Sequence, residues 1–576
     1  TVQICQGISM GNCWETPLSE LVRNYDAQTH PVCGPLVRGG PTRLVEEHGL
    51  PAAIKNSLGE TARLSYDARS NLAQVTDPVG QPFRLEYDLK GNAIAATGPL
   101  NSDIRLAYDP RNGKVTNLKD ARSSQTQMEY DVHGNLVKIT HPDSTSNTFA
   151  YDARGNIVSV TSHKGDRISY TYNGRGQLTE KKYPDVSVVN YEYDKYGNMV
   201  TAKDEHGAIA MEYDELGWLT KVTYPSGQWF RYEYDAAGKR TKRVDRNGQN
   251  LTYMYDSVGR LTGIIDAART GVVSYEYDAA GRRSKRILGN GTFAAYEYNQ
   301  AGRLSRLANY DASGKVLSSF AYTYDSRGNP TTVTTPDGTS RYEYDAASQL
   351  VGVTYPDGRQ VSYSYDAAGN RTLVANDAAE TKYEANPLDQ YTRVGEASYA
   401  YDANGNMVSK TDGGRTTAYH YDFENRLVRV ETPEKTVRYE YDPLGRLSAR
   451  SDSSGTVRYI YDGYEVAAEL DAAGSVSATY TFGGALDEVL VMDRKGQPLW
   501  YDQDALGSVR DLTDNQGKVV ERYDYDAYGQ PNRGSSFGNP WFFTGRPYDF
   551  DAGLQYNRLR YYSPSLGRFI TPDPVG

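Results

Sequence analysis

Cysteine is almost missing from this chain. Three occur in 576 residues, Cys5, Cys13 and Cys33, all near the start and without C-x-x-C spacing, so a disulfide framework and a zinc site are both excluded as its frame. They are expected to be buried or incidental thiols. Long hydrophobic runs are absent too, and nothing approaches the roughly 18 consecutive apolar residues that cross a bilayer as a helix. Nor is there an excess of positive charge. Lys and Arg number 63 against 73 Asp and Glu, a net charge of −10, spread without a basic cluster, which argues against a nucleic-acid surface. Phe and Trp are scarce, 12 and 5, beside 50 Tyr. A dry core favours Phe and Leu, because every buried Tyr hydroxyl needs a partner. With a mean hydropathy of −0.68, the tyrosines point to sheets that are wet on at least one face.

Motifs for common chemistry are missing as well. The seven histidines, His30, His48, His133, His141, His163, His206 and His420, show neither HExxH nor another paired metal spacing. No glycine-rich phosphate loop follows a strand, so neither metal nor cofactor is expected. The first residues, TVQICQGISMGN, lack an initiator Met and the layout of a signal peptide, and the chain reads as a piece of a longer parent.

What is present is repetition. Tyr-Asp or Tyr-Asn pairs recur from Tyr66, Tyr87, Tyr108 and Tyr130 through Tyr255, Tyr277 and Tyr298, then from Tyr324 to Tyr365 and from Tyr401 to Tyr461. The period is about 21 residues, within the range of repeat architectures. In each unit x-Tyr-x-Tyr alternates as a half-exposed strand. Asp-x-x-Gly follows as a turn, Asp folding back onto the backbone and Gly supplying a positive φ. A second alternating run and a second turn close the unit. Asx-turn bonding explains the repeated Asp better than calcium ligation, which needs several oxygens in one short span. Cross-strand packing explains the Tyr ladders better than sugar stacking. Two stretches depart from the period, Leu307 to Asp325 and Lys382 to Asp402, and are expected to be irregular hairpins where the sheet bends.

Three architectures can use such units. Propeller blades would need strands grouped by fours, and the sequence repeats at the single hairpin. A filled sandwich needs a strongly apolar inner face. An all-β spiral of hairpins, wound into a large hollow barrel or cocoon with few free edges, fits best.

At this level of detail the chain resembles the Rhs/YD-repeat proteins of polymorphic toxins, type VI effectors and the Tc toxin C component, with the teneurins as animal relatives. The repeats carrying the resemblance run from Leu64 to Asp462. More specific is the tail from Trp500 to Gly576, with WYDQDALGSVRDLTD, ERYDYDAYGQP, NPWFFTGRPYD and GLQYNRLRYYSPSLGRFITPDPVG, which is similar to the Rhs repeat-associated core. Gln503 and Ala505 depart from a version that often carries His there.

The resemblance implies a plug or rim segment at 1–60, a shell at 61–499, and a core region at 500–576 that ends before the family's cleavage site. It implies a shell that encloses and delivers a C-terminal toxin domain, and a core that cuts the chain as an aspartyl protease does, two carboxylates sharing a proton. The position that maps to this role is Asp573, with Arg568 as a supporting charge or anchor and the second carboxylate beyond this sequence. An Asp-Pro-x-Gly string is also an ordinary turn. Implied partners are the toxin cargo, a secretion-apparatus tip protein or B-like toxin subunit, and an immunity protein. The implied setting is a secreted or delivered effector made in a bacterial cytoplasm. The alternative is an extracellular YD-repeat protein for adhesion or carbohydrate binding.

Overall fold

The computed structural model describes residues 51–574 apart from 269 and 378. The three cysteines, His30, His48 and most of the 1–60 segment lie outside the described residues. Each repeat closes by the same local chemistry, seen at Tyr151. The Asp152 amide donates to the Asn156 carbonyl (2.9 Å), and the Gly155 amide donates to the Asp152 carbonyl (3.1 Å). Asp152 Oδ1 accepts from the amides of Arg154 and Asn156 at 2.8 and 2.9 Å, and Asn156 Nδ2 donates to Oδ2 at 2.8 Å. Gly155 sits at φ 84°, and the ladder shifts register at Tyr151. This is a hairpin loop ending in a glycine bulge.

The bulge aims the tyrosine. Its hydroxyl donates to a carbonyl of the preceding repeat, as in Tyr87 to Leu72 (3.0 Å), Tyr172 to Ile157 (2.8 Å) and Tyr298 to Arg283 (2.8 Å). Hairpins are thereby clipped to one another by side chains as well as by their ladders. Where Arg replaces Asn after the turn glycine, it holds the turn carboxylate and covers the next tyrosine. Arg282 Nε is 2.8 Å from Asp278 Oδ2, and its guanidinium lies 4.3 Å above the Tyr298 ring.

Consecutive strands pair antiparallel without interruption, making one sheet of 46 strands that runs from Ala53–Lys55 to Val519–Arg522. The strands form no groups of four. The wall already begins inside the 1–60 segment, and residue 500 lies within strand Gln497–Gln503, so the sheet continues past it. Among the described residues there is no α-helix, and no helix is long and apolar enough to cross a membrane.

The sheet is one layer thick and coils past a full turn. Tyr and aliphatic side chains are concentrated on one face, and in Trp229–Tyr234 Phe230 and Tyr232 are buried while Arg231 and Glu233 are exposed; that face also carries cations opposite its tyrosines, as in Tyr232–Arg243 and Tyr275–Arg286. In the first strands, Thr61–Tyr66 and Leu72–Thr76, no residue is fully buried, as expected of a wall with no second layer against it.

The windings meet end to end. The second winding abuts the first at its turns and strand ends through Glu60–Arg303 (2.7 Å), Asp77–Arg327 (2.6 Å), Arg122–Asp389 (2.9 Å) and Lys181–Glu424 (2.8 Å).

In the stretch from Leu307 to Asp325 the strands, Leu304–Tyr310 and Val316–Tyr324, are lengthened, and their ladder shifts register between Asn309 and Tyr310. The added length carries Asn309 to the Gln503 carbonyl, 194 residues further along the chain and 3.2 Å away. From Lys382 the unit is short: Tyr391–Val394 and Ala397–Tyr401 are joined across Gly395 and Glu396. Tyr401 still clips back, onto the Tyr391 carbonyl at 2.9 Å.

Candidate functional site

After Arg522 the chain leaves the wall and packs back against it. Four short antiparallel strands, Tyr548–Asp549, Leu554–Asn557, Arg560–Ser563 and Arg568–Phe569, form a separate small sheet. The segment is seated in two apolar clusters. Trp541, Phe542 and Tyr548 join Tyr480 and Tyr501 of the wall and Tyr523 just beyond it, the Trp541 ring lying edge-on to Tyr480 and Phe482 at 5.5 and 5.3 Å. Further along, Leu554, Tyr561, Leu566 and Ile570 cover Tyr399, Tyr419 and Tyr439. The face covered is the one carrying the Tyr and aliphatic side chains.

Polar contacts set the position. The Val509 amide donates to the Phe542 carbonyl (3.0 Å) and the Met407 amide to the Ile570 carbonyl (2.9 Å). Asp549 accepts from Tyr439 Oη and Arg450 Nε, both at 2.7 Å, and Asp551 pairs with Arg450 and Lys435 at 2.6 Å. Asp487 takes both Arg546 and Arg558 at 2.8 Å. Gly545 holds φ 67°, and a Cβ there would stand 2.4 Å from the Asp487 carbonyl oxygen.

Asp573 lies at the end of this segment, about half exposed, with Oδ2 2.9 Å from Arg560 Nη2. The Arg560 guanidinium rests 3.7 Å above the Phe569 ring. Arg568 goes elsewhere. It stacks 3.6 Å above Tyr391, donates to Asn370 Oδ1 at 3.0 Å, and donates to the Asp389 carbonyl. Burial pushes its pKa down. Arg568 therefore anchors the segment to the wall, and the cation beside Asp573 is Arg560, which sequence reasoning passed over. The available signal was alternation: Tyr562 faces Phe569 across the ladder, so Arg560, two residues earlier, shares that face.

A second carboxylate arrangement lies within the wall. Asp502 and Asp511 stand directly opposite each other in the ladder, and both are wholly buried. Neither oxygen of Asp502 has a hydrogen-bond partner among the protein atoms. Burial raises Asp502 to about 7, Arg286 opposing the shift and Asp511 adding to it. Asp511 is held by Arg522 at 2.7 Å.

Between the windings, a cavity of about 220 Å³ is lined by Arg240, Arg243, Tyr253, Asp462 and Glu465, among others. Its arginines are already engaged by Asp462. Among the described residues, no three or more His, Cys, Asp or Glu side chains converge as a metal site.

Known proteins resemble the chain at the level of sequence and of fold. The profile of the family described as Teneurin YD-shell matches residues 52–164, 112–282 and 339–575, and that of the RHS Repeat matches 298–340. The tRNA3(Ser)-specific nuclease WapA of Bacillus spizizenii is 31% identical over 262 residues, which is 44% of this chain and 9% of that protein. The double-stranded DNA deaminase toxin A of Burkholderia cenocepacia is 37% identical over 82 residues, 13% of this chain and 6% of that protein. The crystal structure of TcdB2-TccC3 without its hypervariable C-terminal region superposes with a TM-score of 0.75 at 16% identity, over 90% of this chain and 33% of that one. The Tc holotoxin pore of Photorhabdus luminescens gives 0.66 at 16% identity, over 90% of this chain and 32% of that one. The chain thus spans less than a tenth of the curated relatives' length and about a third of the solved ones'. Coiled single-layer wall, clipped tyrosines, inturned tail and matching profile agree: the chain belongs to the Teneurin YD-shell family, as a YD-repeat protein of the Rhs type.

Proposed function

We propose that this chain is the wall of a container that encloses and delivers a toxic polypeptide continuing from its C-terminal segment. The observation carrying the reading is the inturned tail. The protein's own chain leaves the large sheet after Arg522 and lies, through loops and a small four-stranded sheet of its own, along the Tyr and aliphatic face of the wall, so that face accepts polypeptide that is not itself part of the wall. The names of the relatives, a tRNA nuclease and a DNA deaminase toxin, support a toxic cargo. The Tc structures support a second shell component as partner, and an immunity protein and a secreted or delivered fate belong to the same reading. Release is by cleavage beyond Gly576, with Asp573 as one carboxylate, Arg560 paired with it, and Arg568 as the anchor of the segment.

The test joins a soluble protease-sensitive domain after the family's cleavage region in the full-length parent. Enclosure predicts that the domain resists added protease until the shell is unfolded, and Asp573→Asn leaves it covalently attached. Digestion at the rate of the free domain overturns enclosure. Unchanged cleavage in Asp573→Asn overturns the role of Asp573 alone.

A further inference from the structure

Two of the histidines meet at the seam between the windings. His141 and His163 occupy equivalent turns of adjacent hairpins, HPDST after strand Leu136–Thr140 and SHKGD after strand Ile157–Thr161. One repeat period brings them side by side, with ring centroids 4.4 Å apart and planes at 65°. His163 Nδ1 is 2.8 Å from the Ala403 carbonyl of the second winding. A carbonyl only accepts, so Nδ1 carries the hydrogen and Nε2 of the neutral ring holds the lone pair. The Nε2 atoms of both rings are buried and have no hydrogen-bond partner among the protein atoms.

The same turn grips the second winding at two further points. The Lys164 amide donates to Asn404 Oδ1 at 3.2 Å, and Lys164 Nζ pairs with Asp402 at 2.6 Å. We propose that the His141–His163 contact is an acid-sensitive clasp: neutral imidazoles pack edge to face and hold turn 402–405 of the second winding onto the first, and protonated imidazoles release it.

Burial and the neighbouring ring favour the neutral state of His141. A second proton would place an N–H at a buried Nε2 with nothing to receive it, and two imidazolium charges would sit in contact. Lys164 is itself a cation, and the carboxylate it faces, Asp402, already caps Asn406 through its amide (2.9 Å) and Nδ2 (3.0 Å). Asp143, in the turn of His141, already accepts from the Thr145 amide at 3.0 Å and from Thr145 Oγ1 at 2.6 Å. Burial and then the His163 charge lower the His141 pKa, and Asp143 opposes them only in part. A histidine whose value is depressed in the closed state stabilises that state above its ordinary value of about 6.5 and loses this contribution as pH falls below it. The other seam contacts named above, Glu60–Arg303, Asp77–Arg327, Arg122–Asp389 and Lys181–Glu424, pair a carboxylate with a guanidinium or ammonium group and contain no histidine.

Hydrogen–deuterium exchange on the whole chain at pH 7.5 and 5.5, corrected for the intrinsic pH dependence of exchange, tests this. Segments 160–167 and 401–406 are expected to exchange about tenfold faster at pH 5.5, while 181–186 and 422–426, joined by Lys181–Glu424, stay unchanged. His141→Gln with His163→Gln removes the pH difference. His141→Phe, which keeps a ring in place without its proton, stays closed at both pH values even if the double variant is already loose. An equal rise in the reference segments, no rise at pH 5.5, or a rise that survives the double substitution overturns the clasp.

Discussion

Asp462 Oδ1 lies 2.7 Å from Arg240 Nη1 across 222 residues of chain. The same carboxylate takes Arg243 at 3.2 Å and the Tyr232 hydroxyl at 3.0 Å. Burial works against its charge, but Arg240 and Arg243 together hold its pKa below the ordinary value. Asp462→Asn leaves two guanidinium groups poorly paired in a buried site. The expected loss is about 3–5 kcal/mol, read as a lower denaturant midpoint. An unchanged midpoint would mean that the seam there is held by packing alone.

The tyrosine clips differ in a way that checks itself. Tyr298 donates to the Arg283 carbonyl at 2.8 Å, whereas the Tyr213 hydroxyl meets only the Met211 sulfur at 3.7 Å. Removing a hydroxyl from a made hydrogen bond costs about 1 kcal/mol. Tyr298→Phe is therefore expected to lower the thermal midpoint and Tyr213→Phe to leave it unchanged. Equal effects would mean that the ring, and not the hydroxyl, joins the hairpins.

Gly545 is required twice over, by its φ of 67° and by the Asp487 backbone oxygen that a Cβ would meet at 2.4 Å. A backbone atom cannot swing aside, so Gly545→Ala displaces the turn that brings Phe542 into the wall. Limited proteolysis is expected to cut within 530–560 faster than in the unsubstituted chain, with the repeats up to Arg522 still protected. Cutting at equal rates would show that the turn is not what seats the segment.

Asp502 gives the wall a pH dependence opposite in sign to that of the histidines. Burial raises it to about 7, so it stabilises the fold below the ordinary carboxylate value, and that contribution is lost as pH rises through about 7. Asp502→Asn removes the charge, and at pH 8 it is expected to raise stability by about 2–4 kcal/mol with little change at pH 4. Equal stability of the two proteins at pH 8 would mean that Arg286 neutralises the carboxylate more fully than its burial implies.

The hairpins were legible in the sequence because their causes are local. Tyr-x-Tyr alternation and Asp-x-x-Gly bring donor and acceptor within a few residues, so Asp152 closes its turn wherever the hairpin is placed. The residue after the glycine was underread, since the carboxylate held by Asn156 or Arg282 is named by that same short motif. Other features carried no mark. Asp462 looks like every other Asp of the repeat yet reaches across the seam. Arg568 read equally as a supporting charge for Asp573 or an anchor, while the cation paired with Asp573, Arg560, carried no mark, and nothing in their spacing marked His141 and His163 as neighbours.

By itself, the sequence determined a long antiparallel meander of hairpins whose half-exposed strands carry tyrosine at alternate positions. Tertiary structure alone decided which turn of the second winding meets which of the first, and where the tail lies. The reason is how the coil accumulates. Each strand pair adds a small twist, and the angle that brings Arg303 onto Glu60 is the sum of such steps over a whole winding, a quantity that no single repeat contains.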